Sequence, residues 1–84
     1  MKTIIMAVKD TKLGKMCQPF FVQNEAIAGR MIQATVREEG NQLHDFPEDF
    51  QVFKLGTFDE ETGEITSKVE FVKNVTEYIK KENK

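Results

Sequence analysis

The chain has 84 residues, enough for one domain with one modest core and too few for a deep cleft lined by several catalytic loops. Hydrophobic residues make up 39% and charged residues 31%, ordinary proportions for a folded domain, and the net charge of −2 excludes a global positive field that would draw the chain to nucleic acid or an anionic membrane. Any such contact must be local.

One cysteine, Cys17, excludes an intramolecular disulfide and a zinc site built on paired cysteines, and it suits an intracellular chain. The opening MKTIIMAV is interrupted by Lys9 and Asp10 and reads as a strand, not as a signal. No run reaches the roughly 20 apolar residues that cross a bilayer, so no membrane is expected among the partners.

Thr3 to Val8, rich in Ile and Val without strict alternation, predicts a mostly buried and central first strand. Leu13 to Cys17 reads as a loop, and Pro19 makes Phe20 to Val22 an extended edge whose two phenylalanines point to opposite sides. Asn24 is a suitable cap for a helix running to about Glu39, with Ile27, Ala28, Met31, Ile32, Thr35 and Val36 on the face that covers the sheet. Gly29 inside that helix costs about 1 kcal/mol relative to Ala unless it permits close packing. Gly40 ends the helix, and Asn41 to Asp45 follows as loop.

Pro47-Glu48-Asp49 reads as one short helical turn feeding a strand that alternates from Val52 to Phe58. Asp59 to Gly63 is a turn, with Glu64, Ile65 and Thr66 returning as the antiparallel partner. Capping-box patterns begin at both Ser67 and Asn74. Phe71, Val72, Val75, Tyr78 and Ile79 form a helical stripe from the earlier start, whereas Val69 and Phe71 could instead prolong the strand. The helix is placed from about Val75. The expectation is therefore a single α+β domain over residues 1–84: a small antiparallel sheet with a central hairpin, covered on one face by one main helix, plus a short C-terminal helix and a frayed tail at 80–84.

Few residues offer chemistry. Cys17 and the single histidine, His44, could pair as nucleophile and base, but a catalytic site is defined by geometry and none is assigned. Asp59, Glu60, Glu61 and Glu64 lack the ligand alternation of a calcium loop and read as a solvated turn, so neither metal nor cofactor is expected. Lys9, Lys12 and Lys15 near Phe20 and Phe21 are the one interleaving of bases and aromatics, the combination that holds single strands by phosphate contact and base stacking. The bland alternative is solvated lysines beside core phenylalanines.

Val8-Lys9-Asp10-Thr11-Lys12, Pro19-Phe20-Phe21, Pro47-Glu48-Asp49-Phe50, Leu55-Gly56-Thr57-Phe58-Asp59 and Thr62-Gly63, in that order, resemble the small non-structural protein of gokushovirus-type microviruses, phages with single-stranded DNA genomes. Lys9 stands where that family commonly has arginine, which keeps the charge but loses a two-pronged phosphate contact. The resemblance implies a non-enzymatic protein of the bacterial host cytoplasm, not part of the virion, that binds single-stranded DNA during genome replication, single-strand synthesis or packaging. Lys9, Lys12, Lys15, Phe20 and Phe21 are the candidate contacts. The alternative is an adaptor for phage or host replication or assembly proteins that never touches nucleic acid. Small size and an exposed sheet edge also make a homodimer an expectation.

Overall fold

The computed structural model describes residues 2–79. Its centre is strand β1 (Lys2–Asp10), in which Ile5, Met6, Ala7 and Val8 are all buried. One edge of β1 pairs antiparallel with β4 (Phe50–Asp59), and β4 pairs with β5 (Ile65–Asn74). The other edge is shared by two short strands, β2 (Lys15–Met16) against Lys9 and Asp10, and β3 (Phe20–Val22) against Ile4 to Met6. The predicted loop at Leu13 to Cys17 thus contains a two-residue strand, anchored by a 2.7 Å hydrogen bond from the Cys17 N–H to the Val8 carbonyl.

Helix α1 (Glu25–Arg37) lies across one face of the sheet. The Asn24 side-chain oxygen accepts from the Ile27 N–H at 2.9 Å, satisfying one of the free donors of the first turn. Ala28, Ile32 and Val36 point down at four-residue spacing onto Met6, Val8, Val22, Phe50 and Val52. The buried stripe is narrower than expected, for Met31 is 46% exposed and Ile27 also faces solvent. Gly29 permits a close approach: a Cβ there would stand 3.1 Å from the Tyr78 ring. Replacing Asn24 with Ala should destabilise the domain by about 1 kcal/mol, read by urea unfolding, whereas Asn24→Asp should leave it nearly unchanged.

Asn41 to Asp45 is not loop. Gln42–Asp45 forms a single turn, α2, because Asn41 is itself a cap: its oxygen accepts from the His44 N–H at 3.1 Å while its amide donates to the carbonyls of Thr35 and Glu38 at the end of α1. Pro47–Asp49 is the expected short turn, of 3-10 type. At the hairpin tip the Asp59 and Gly63 backbones close the turn, and the Asp59 carboxylate accepts from the Glu61 N–H at 2.9 Å. That bond holds the Asp59 carboxyl below its ordinary value. Its contribution to the hairpin is therefore present above the unfolded-state pKa and lost as pH falls through the folded one.

The return strand is longer than Glu64 to Thr66. It continues through Val69 and Phe71 to Asn74, so the strand alternative holds there and the helical stripe does not. The C-terminal helix is one 3-10 turn, Val75–Tyr78, closed by the Asn74/Glu77 capping box and burying Val75 and Tyr78 against the core. The tail expected at 80–84 lies outside the described residues. The architecture is α+β, an open antiparallel sheet backed by helix on one side.

Candidate nucleic-acid interface

Residues directly opposite each other in an antiparallel ladder share a face, so the pairing registers sort every strand side chain. Ile4, Met6 and Val8, with Val22, Phe20 and Val52 opposite them, face α1. Thr3, Ile5, Ala7 and Lys9 face the other way, together with Phe58, Phe21, Phe53 and Gln51 opposite them, and Phe71 follows opposite Phe53. No described element covers this second face.

The change of phase along β4 depends on Gly56. Between Ile5 and Met6 the register against β1 slips, since Ile5 pairs with Gly56 and Met6 with Lys54, leaving Leu55 as the extra residue of a bulge. A strictly alternating strand would send Phe53 and Phe58 to opposite sides. The bulge puts them on one side.

Four rings therefore gather on the open face. Phe21 and Phe58, on the strands flanking β1, meet edge to face with centroids 5.6 Å apart at 76°. Phe21 pairs directly opposite Ile5 and Phe58 opposite Thr3, and Ile5 between these rings is only 7% exposed although no helix covers it. Phe53 and Phe71 make a second edge-to-face pair at 5.7 Å and 71°, and the Lys9 ammonium stands 5.9 Å from the Phe53 ring centre. Phe21 is 54% and Phe71 51% exposed, so each keeps ring surface in water. No strand position on this face is Asp or Glu. The acids lie elsewhere: Asp59, Glu60, Glu61 and Glu64 around the hairpin tip, Glu70 on the helix side.

Of the five residues singled out from sequence, the structure brings Lys9 and Phe21 to this face. Phe20 points away and packs against the core under α1. Lys12 stands in the turn joining β1 to β2, 4.0 Å from the Asp49 carboxylate, and Lys15 begins β2 opposite Asp10, which places it on the helix side. Phe53, Phe58 and Phe71 were not singled out. The signal that could have found them is Gly56, since a glycine inside a strand marks a bulge and hence a change of face.

Cys17 and His44 form no reactive arrangement. Partial burial, and then Asp10, push the Cys17 thiol pKa up, away from the thiolate a nucleophile needs, and the His44 ring is engaged with the Val36 carbonyl at 2.7 Å. Among the described residues no helix is long and apolar enough to cross a membrane.

The architecture is thus a small helix-backed antiparallel sheet with a ring-bearing open face on which no strand position is Asp or Glu. The family model described as Phage ORF5 protein matches residues 3–78, and the chain belongs to that phage protein family. No curated protein and no solved structure matches.

Proposed function

We propose that this phage protein binds single-stranded DNA across the open face of its sheet, as a non-structural and non-enzymatic factor of genome replication, single-strand synthesis or packaging in the host cytoplasm. The observation that carries the reading is the row of Phe21, Phe58, Phe53 and Phe71 with Lys9 beside it on a face free of carboxylates. Unstacked bases lie on aromatic rings whatever their identity, and the neighbouring ammonium meets the backbone. The acidic chain can hold a polyanion there because no strand position of the open face is Asp or Glu, while Lys9 is the lysine that the pairing registers place on it. Lys12, in the β1–β2 turn, and Lys15, which begins β2 opposite Asp10 on the helix side, stand at the end of the sheet, where the strand's phosphates would pass on leaving the face.

Anisotropy of a labelled single-stranded oligonucleotide tests this. Binding should be moderate, indifferent to sequence and steeply weakened by salt. Replacing Lys9, Lys12 and Lys15 together with Ala should lower the log–log salt slope by roughly 2, at about 0.7 for each lost phosphate contact. Absence of binding by the wild-type protein at low salt would overturn the reading.

The second reading, an adaptor for phage or host replication or assembly proteins, is favoured by the exposure of Ile65 at 60% and Val69 at 61% beside Phe71. Partners that persist in a nuclease-treated pull-down from infected cells, with no oligonucleotide binding, would put it first.

A further inference from the structure

Strand β5 is the outer strand of the sheet, and its far edge carries no partner among the described residues. Ten-residue edges of this kind normally invite pairing with another chain, and proteins blunt them with lysines, prolines or short length. Nearly every residue of β5 is exposed, and it contains no proline. Its charges are arranged in another way: Lys68 and Glu70 flank Val69 and project from the same side, their own ion pair spanning 3.3 Å.

We propose that the far edge of β5 pairs antiparallel with β5 of a second copy, in a register centred on Val69. A two-fold axis perpendicular to the sheet keeps both helices on one side, and it pairs residues that lie equally far from the residue on the axis. With Val69 on the axis, Lys68 falls opposite the second copy's Glu70, and Glu70 opposite its Lys68. Ser67 then meets Phe71, and Thr66 meets Val72, where one register shift against β4 ends regular pairing; the other shift leaves Lys68 and Val69 without a β4 partner, while Ser67, opposite Gly56, and Phe71, opposite Phe53, stay on the open face on either side of it.

Neighbouring registers lose this. An axis at Lys68 or at Glu70 sets that charge against its own copy, an axis at Ser67 sets Glu70 against Glu64, and an axis at Phe71 leaves both charges opposite uncharged residues. An axis at Thr66 would also set Lys68 against a glutamate, Glu64 of the turn, but it leaves Glu70 opposite Thr62; only the Val69 axis engages both Lys68 and Glu70 within the strand, and Glu70→Lys tells the two registers apart. Lys68 and Glu70 are free to exchange partners, their side chains being 78% and 45% exposed. The product is one continuous sheet in which the Phe53–Phe71 pairs of the two copies flank the axis on the same face, with Val69 between them. The inference does not rest on DNA binding.

Sedimentation equilibrium at micromolar concentrations should find a wild-type dimer. Lys68→Glu alone, or Glu70→Lys alone, sets like charges opposite each other twice over and should weaken the dimer about tenfold or more. An equimolar mixture of the two variants should restore association as a heterodimer, because each strand then supplies what the other lacks. The ion pair within one strand is broken in both variants, so a merely intrachain role predicts no recovery on mixing. Circular dichroism checks that each variant is folded. Independently, in a Cys17→Ser background, Val69→Cys should cross-link to its own copy on oxidation while Thr66→Cys should not. A wild-type monomer, single variants as dimeric as wild type, a mixture that stays dissociated, or a dimer in which Val69→Cys fails to cross-link would each overturn the proposal.

Discussion

Gly56→Ala is expected to be among the most destabilising single changes in the chain, lowering stability by roughly 3 kcal/mol and the melting temperature by on the order of 15 °C. Two independent effects add. Gly56 has φ +152°, a conformation a side-chain-bearing residue rarely adopts, and a Cβ at that position would stand 2.0 Å from the Thr66 carbonyl oxygen and 3.0 Å from its carbon. The obstructing atoms are backbone atoms of β5, so no rotamer change relieves the contact. Strand β5 would have to move away from β4 where Gly56 faces Ser67 and Thr57 faces Thr66. Urea unfolding followed by circular dichroism measures the loss, with Tyr78, the chain's single tyrosine and buried, as a fluorescence probe. A variant within about 1 kcal/mol of wild type would show that the bulge is easily rebuilt and does not fix the phase of β4.

The same glycine explains what could and could not be read in advance. Local signals were legible because they act within a few residues: Asn24 capping α1, Pro47 setting a turn, Asp59 and Gly63 closing the hairpin. The course of β5 was not. Phe71, Val72, Val75, Tyr78 and Ile79 fit a helical stripe, and the strand's own alternation is interrupted beside Val72, so the two periods competed and the pairing with β4 decided. The ring-bearing face was half visible. Lys9 and Phe21 announce themselves as a base and an aromatic close in sequence, but Phe53, Phe58 and Phe71 share their face only through the β1–β4–β5 registers and the slip at Gly56. Phe20 shows the converse: adjacent to Phe21, it is turned by the strand's two-residue period into the core.

Phe53→Ala combined with Phe71→Ala is expected to remove most of the affinity for single-stranded DNA, a loss on the order of hundredfold or more, because stacking is worth about 1–3 kcal/mol per base and these rings form one stacking pair on the platform. The change is nearly neutral for the charge balance. Its salt slope should therefore match wild type, while the triple lysine variant keeps its rings and loses slope. The two variants thus separate the two kinds of contact, which a general loss of structure could not do. Phe71 is half exposed and Phe53 intermediate, so the double change should cost the fold less than a core truncation, and Phe53→Leu with Phe71→Leu retains apolar cover while still removing both rings. Phe20→Leu is the counter-test, a change on the far side of the sheet that should leave binding intact. If the folded Phe53/Phe71 variant binds as tightly as wild type at every salt concentration, the open face is not where the strand lies.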